Sequence, residues 1–308
     1  MRLVFMMTGE ISEPAFAQAL GSEHDVVGLV TQPDRPAGRK QVMTAPRVKE
    51  MAVEAGVPVI QPEKVGEAGA LAQIRDWAPE VIVVMAYGQI LPQKLIDLPS
   101  RAIINLHASL LPKYRGASCI QAALRNGDPE TGWSVIEVVK KLDAGNVLLR
   151  HPFPIFEGET GGELHDRLAL AGPSALRKVL ELLEKGEVPG EVQDETLQTY
   201  APKLGREDGV LDWTASAVDL ERLVRAYHPW PGTVTKLGEK RLKIFPPVRV
   251  GEGKGSPGEF LGLAGAGLEV ACGKGSLILS EVQPEGSRRM AGEALARGHL
   301  RDLQKGLK

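Results

Sequence analysis

Ile103-Ile104-Asn105-Leu106-His107-Ala108-Ser109-Leu110-Leu111-Pro112-Lys113-Tyr114-Arg115-Gly116 opens as an apolar strand and closes as a loop punctuated by Pro112 and Gly116. Side chains alternate faces along a strand, so Asn105 and His107 share one side while Leu106 takes the other. Upstream of this stretch, short runs rich in Val and Ile recur at residues 3–6, 26–30, 57–60 and 81–85, and another follows at 135–139. Such runs are continuous rather than alternating, as expected of strands buried on both faces. Between them Val48, Met51, Ala52 and Ala55 fall on one helical face. A longer helix is expected over 162–186, with Leu164, Leu168, Ala171, Ala175, Val179 and Leu182 as its inner stripe. The alternation predicts an α/β domain with a Rossmann-like, mostly parallel sheet covered by helices on both faces.

Residues 187–206 lose this periodicity and read as a linker. A helix over 215–227 follows, then strand-like segments at 233–236, 242–245, 258–264, 268–271 and 277–282, broken by Gly and Pro. This second pattern predicts a small OB-like β-barrel. The expected domains are therefore 1–186, a linker at 187–206, and 207–308.

With 308 residues the chain can build two cores. Its net charge of -2 neither demands nor excludes a polyanionic partner, although residues 206–308 are modestly basic and the first 205 modestly acidic. Cys119 and Cys272 read as incidental core thiols rather than a disulfide or metal set. No run approaches the roughly 20 apolar residues that span a bilayer, and Met1-Arg2-Leu3-Val4-Phe5 leads directly into a strand. A cytoplasmic protein is expected, without membrane contact.

Open α/β sheets place ligands at the carboxyl ends of their strands, where Asn105 and His107 lie. An amide and an imidazole side by side there could stabilise a carbonyl becoming an oxyanion. Asp143, in the turn Lys141-Leu142-Asp143-Ala144-Gly145-Asn146, would orient the imidazole if the turn brings it there. Each residue alone has a plainer reading: a structural histidine, or an aspartate that forms a turn. Their joint spacing favours chemistry. No serine or cysteine nucleophile accompanies them, which suggests direct transfer rather than a covalent intermediate.

The pattern Asn-x-His-x-Ser-Leu-Leu-Pro-x-Tyr-Arg-Gly, followed by Leu-Asp-x-Gly, resembles the 10-formyltetrahydrofolate-dependent formyltransferases. The resemblance covers nearly the whole chain, from Leu3 to about Leu303. It implies that Asn105, His107 and Asp143 form the catalytic triad. It also implies that Ser109, Leu110, Leu111 and Pro112 line the folate pocket, with Ala86, Tyr87, Gly88, Ile90 and Leu91 as another wall. Asn105 and protonated His107 would then hold the oxyanion, while Asp143 accepts the proton of the attacking amine. The formyl donor would be 10-formyltetrahydrofolate, with no metal and no nucleotide.

The acceptor rests on three further features. Thr31-Gln32-Pro33-Asp34-Arg35-Pro36-Ala37-Gly38-Arg39-Lys40 is a basic loop that could be simple surface. It resembles the loop that enters the acceptor arm in the methionyl-tRNA branch of the family, with Arg39 matching its key arginine and Arg35 and Lys40 beside it. Arg225-Ala226-Tyr227-His228-Pro229-Trp230-Pro231-Gly232 and Gln193-Asp194-Glu195-Thr196 resemble that branch's domain junction. In the barrel, Lys236, Lys240, Arg241 and Lys243, with Arg288 and Arg289, could follow RNA phosphates. Initiator methionyl-tRNA is thus the expected partner of a monomeric enzyme. One departure stands out: Met7-Thr8-Gly9-Glu10 replaces the family's Gly-Thr-Pro turn after the first strand.

An amino-sugar formyltransferase and a formyltetrahydrofolate hydrolase are the near rivals. A nicotinamide oxidoreductase is disfavoured because no Gly-x-Gly-x-x-Gly follows the first strand. A catalytically dead RNA-binding protein is disfavoured by the intact Asn105, His107 and Asp143.

Overall fold

Leu3, Val4, Phe5, Met6 and Met7 are all buried, which is why the first strand is apolar without alternation. A computed structural model describes residues 1–38, 40–186 and 190–308. Their contacts form two compact units. One comprises Met1–Gly116, Thr131–Phe153 and His165–Tyr200, the other Ala117–Glu130, Pro154–Leu164 and Ala201–Lys308.

The first unit is built on strands β1 (Arg2–Met7), β2 (Asp25–Val30), β3 (Arg35–Ala37), β4 (Val42–Thr44), β5 (Val59–Ile60), β6 (Val81–Met85), β7 (Ala102–His107), β8 (Glu130–Glu137) and β9 (Val147–Pro154). The main sheet runs β5-β2-β1-β6-β7-β8-β9, while β3 and β4 form a separate hairpin. Pairing is parallel from β5 through β7 and turns antiparallel at β7–β8. The helices up to residue 185, in chain order, are α1 (Glu13–Leu20), α2 (Arg47–Glu54), α3 (Ala68–Asp76), α4 (Gln93–Ile96), α5 (Cys119–Asn126) and α6 (Gly161–Lys185), of which α5 belongs to the second unit. Val4, Met6, Val30, Ile82, Val84 and Ile103 share a core with Leu71 and Ile74 of α3. Leu164, Leu168, Ala175 and Val179 are the buried stripe of α6, and the Trp133 indole on β8 donates to the Leu168 carbonyl.

Sequence and structure differ where burial is not apolar. The eighth strand, expected at 135–139, begins at Glu130; apart from Trp133, its first buried residues, Thr131, Gly132 and Ser134, do not read as hydrophobic. The edge strand β9 opens with the short apolar run Val147-Leu148-Leu149 but continues through Arg150, His151 and Pro152, which break the pattern. Residues 190–200, part of the stretch read as a linker, group with the first unit.

The second unit contains α5, α7 (Ala217–Ala226) and an antiparallel sheet of β10 (Thr233–Leu237), β11 (Lys240–Gly251), β12 (Phe260–Ala264), β13 (Gly267–Ala271), β14 (Ser276–Pro284) and β15 (Met290–Ala291), closed by α8 (Gly292–Leu303). Its order is β10-β11-β14-β13-β12, with β15 on β14. Ser216 caps α7 by accepting from the Asp219 N–H. Leu220, Val224, Leu242, Ile244, Leu268, Leu277, Leu279 and Leu295 make its core, so this small β domain has a hydrophobic centre of its own. Among the described residues no helix is long and apolar enough to cross a membrane.

Candidate active site

Val84 of β6 lies beside Asn105 of β7, and Met7 of β1 beside Met85 of β6. The carboxyl ends of three adjacent parallel strands therefore open at one edge, the usual ligand position in such sheets. Beyond His107 the chain is anchored by Leu111, which is buried against Ile136 of β8 and Val147 of β9. Hydrogen bonds then fix the loop. The Leu111 N–H donates to Ser134 Oγ, which donates in turn to the Ser109 carbonyl. Ser109 Oγ donates to the Lys113 carbonyl, and the Arg150 guanidinium donates twice to the Leu111 carbonyl. Tyr114 at φ 61° and Gly116 at φ 109° turn the chain back toward the strand end.

Asp143 arrives there from 36 positions beyond His107. Its turn is tight: a Cβ on Gly145 would come within 1.8 Å of the Glu137 carbonyl oxygen. Asp143 itself adopts φ 47°, an uncommon conformation for a residue other than glycine. Its carboxylate Oδ2 accepts from the Gly116 N–H at 2.8 Å and faces His107 Nδ1 at 3.7 Å. Its other oxygen accepts from Asn105 Nδ2 at 3.4 Å.

His107 Nε2 lies 2.8 Å from the Tyr114 carbonyl. A carbonyl only accepts, so Nε2 carries a proton. An oxyanion donor at His107 would therefore be Nδ1–H, since Nε2 is committed to the backbone. At 3.7 Å its contact with Asp143 is electrostatic rather than a close hydrogen bond. Among the described residues the Asn105 amide makes only its bond to Asp143, which leaves its second N–H for a substrate oxygen.

The second wall leaves β6 through Ala86 at φ 50° and Gly88 at φ 86°. Ala86, Gly88 and Ile90 are exposed, Ile90 by 91%. Leu91, Leu110 and Pro112 are half-buried, whereas Tyr87, Ser109 and Leu111 are turned inward and offer packing or backbone rather than a side-chain surface. Burial holds the Tyr87 phenol well above its ordinary pKa, and its hydroxyl has no partner among the described residues. The altered turn after β1 packs here. The Gly9 N–H donates to the Ala86 carbonyl, while Thr8 Oγ1 and Gln32 Nε2 donate to that of Tyr87. This region therefore retains its backbone support despite the departure in sequence.

The residues singled out for RNA lie elsewhere. Arg35 starts the β3–β4 hairpin and pairs with Glu63 at 2.8 Å, and Lys40 is exposed at the hairpin's turn. Arg39 lies outside the described residues. Asp34, just before the hairpin, is held below the usual carboxylate range by hydrogen bonds from Gln61 and Lys49. In the second unit Lys236 of β10 stands opposite Arg241 of β11, with Lys243 two residues on along the same face. Lys236, Lys240, Arg241 and Lys243 are all exposed. Among the described residues no cluster of three or more His, Cys, Asp or Glu could hold a metal ion.

Sequence reasoning assigned no role to Arg115 or to the Tyr114 carbonyl, and read Gln193 only as part of a domain junction. Arg115 stood within the quoted motif, but its partners lie about 80 positions away, where no periodicity signals a contact.

Residues 1–180 match the formyl transferase family, and residues 203–300 match its C-terminal domain. The methionyl-tRNA formyltransferase of Akkermansia muciniphila is 49% identical over 311 positions, covering 98% of this chain and 99% of that protein. That of Geotalea daltonii is 44% identical over 297 positions, covering 96% and 95%. Among solved structures, the N-formyltransferase of Helicobacter canadensis in complex with folinic acid and dTDP-3-aminofucose has a TM-score of 0.64. It is 15% identical and covers 94% of this chain and 99% of its own, a likeness of fold.

Proposed function

The chain belongs to the formyl transferase family, and we propose that it transfers the formyl group of 10-formyltetrahydrofolate to the α-amino group of methionine on initiator tRNA. The observation that carries this reading is the meeting of Asn105, His107 and Asp143 at one strand end. The kinship that names the acceptor extends over nearly the full length of methionyl-tRNA formyltransferases. In sequence the proposal assigns residues 1–186 to catalysis, 187–206 to the connection and 207–308 to RNA. A cytoplasmic monomer goes with it.

A free α-amino group has a pKa of roughly 7.7–8.0, so a useful fraction is neutral near pH 7 and can attack without prior activation. The harder demand is charge on the formyl oxygen. Asn105, through the N–H not given to Asp143, and His107, through Nδ1–H, donate to that oxygen as the amine nitrogen bonds the formyl carbon. Asp143 steadies the imidazolium and takes the proton released by the nitrogen. The bond from the formyl carbon to folate N10 then breaks, and the proton ends on N10. No proton or electron is left over, and the chain needs no nucleophile of its own.

The exposed apolar residues Ala86 and Ile90 beside this polar group suit a flat ring system, as a pterin is, better than a second polyanion. Phosphates fall instead to the exposed Lys236, Lys240, Arg241 and Lys243, and to Arg35 and Lys40 of the β3–β4 hairpin, with Arg39 beside Lys40 in sequence.

Mass spectrometry of methionyl-tRNA after incubation with the protein and 10-formyltetrahydrofolate tests the proposal. Formyl-methionine is expected on initiator tRNA, with no comparable product from a nucleotide-linked amino sugar or from water. An Arg39→Ala variant should lose tRNA formylation while keeping folate binding. Formylation of the sugar, or hydrolysis alone, would overturn the acceptor assignment.

A further inference from the structure

We infer that Gln193 is a positioning residue of the formyl-transfer reaction, holding the Asp143 turn in place from a strap formed by residues 190–200. The inference rests on the proposed role of Asp143.

The strap begins at the sheet edge. Glu191 exchanges both backbone hydrogen bonds with Val147 of β9. Two residues on, Gln193 is 5% exposed, and its amide Nε2 donates to the carbonyls of Asp143 at 2.8 Å and Gly145 at 2.7 Å. Its Oε1 accepts from Arg115 Nε at 3.1 Å and Nη2 at 2.8 Å. Arg115, 2% exposed, also reaches Glu195 and Gln198. The strap ends on Thr199. Its carbonyl accepts from the Arg115 N–H and its Oγ1 from the Tyr114 N–H. Tyr114 is the residue whose carbonyl holds His107.

Chemistry selects an amide at this position. Two carbonyl oxygens on one side need donors, and a guanidinium on the other needs an acceptor. Glutamine offers two N–H donors and one oxygen, so both sides are satisfied. The same partners fix which end of the amide is nitrogen. A carboxylate would satisfy Arg115 but repel the two carbonyls. An apolar side chain would leave the carbonyls and the guanidinium without these bonds in a buried place.

Asp143 needs this support because it sits at φ 47°, a conformation that persists only where the surroundings over-determine it. Gly145 pressed against Glu137 fixes one end of the turn, and Gln193 ties two of its carbonyls. Without Gln193 the turn can relax toward ordinary backbone angles. The Asp143 carboxylate would then swing relative to His107, while the 109–112 wall, held by Ser134, Arg150 and the Thr199 N–H on the Pro112 carbonyl rather than by Gln193, stays in place.

The test is steady-state and single-turnover formylation of methionyl-tRNA by the full chain, comparing wild type, Gln193→Glu, Gln193→Leu, Asp143→Asn and each double variant. Both Gln193 variants should lose at least tenfold in kcat while the KM for 10-formyltetrahydrofolate moves less than about threefold. In the Asp143→Asn background either substitution should cost little more, because two residues acting through one group are not additive. If Gln193→Leu does not fold, Gln193→Glu, which keeps the Arg115 bonds, decides the matter. Wild-type kcat in Gln193→Glu, or a full additional loss in the double variant, overturns the inference and leaves the proposed function standing. Failure of the wild-type chain to formylate methionyl-tRNA overturns that function and this inference with it.

Discussion

Asp143 presents its Oδ2 atom to His107 Nδ1 at 3.7 Å while the Gly116 N–H holds the same oxygen at 2.8 Å. The carboxylate is thus held by a backbone N–H, and its contact with the imidazole is electrostatic rather than a close hydrogen bond.

Replacing Asp143 with Asn keeps the size of the side chain and removes its charge and basicity. The turnover of methionyl-tRNA should fall ~10²–10⁴-fold, the range of general acid–base contributions. Folate affinity, measured by fluorescence titration, should stay close to wild type. Turnover at the wild-type rate would take Asp143 out of the chemistry.

Asn105→Ala removes an oxyanion donor while leaving His107 and Asp143 in place. A loss of ~10²–10³ in kcat is expected, read by single-turnover formylation. A rise in KM with kcat intact would instead assign Asn105 to binding.

Gly145→Ala forces a methyl group to within 1.8 Å of the Glu137 carbonyl oxygen. The backbone has to shift, and overpacking of this kind costs about 1–3 kcal/mol or more. The denaturation midpoint should fall, and kcat with it, because the turn that moves carries Asp143. A variant with wild-type stability would show that the turn has room to spare.

Glu195 is held down from its ordinary 4.5 to about 2 by hydrogen bonds from Arg115 and Lys141. A carboxyl lowered on folding contributes stability that is fully present above about pH 4.5 and fades as pH falls toward 2. The Tm difference between wild type and Glu195→Gln should therefore be steady at neutral pH and shrink to nothing near pH 2. Since Glu195 is exposed, the difference should be small throughout. A gap that widens on acidification contradicts this account.

Lys243→Ala should weaken RNA binding uniformly across tRNA sequences and lower the slope of log K against log salt by about 1. Filter binding from low to physiological salt would measure it. An unchanged slope means that this face of the sheet does not meet phosphate.

The fold was legible where burial and hydrophobicity coincide. Residues 3–6 and 81–85 read as strands because both of their faces are covered, and the stripe from Leu164 to Val179 repeats at helical spacing. The first half of β8 was not legible, since Gly132 is buried by close approach to the His151 carbonyl and Ser134 by hydrogen bonding rather than by apolarity. Edge strand β9 was missed because a half-exposed strand tolerates Arg150 and His151. The three candidate catalytic residues stood out by type and spacing, but how His107 is held did not, for its partner is a backbone carbonyl that any residue could supply.

By itself the sequence determined the two-domain order, the strand that presents Asn105 and His107, and membership in a family. These follow from local periodicity and from side chains that only particular chemistry requires. Tertiary structure alone decided that a stretch read as a linker straps the Asp143 turn through Gln193 and Arg115, and that His107 Nε2 is committed to Tyr114. A hydrogen bond from Gln193 to a backbone carbonyl 50 positions away leaves no pattern along the chain, because its partner is a group common to every residue.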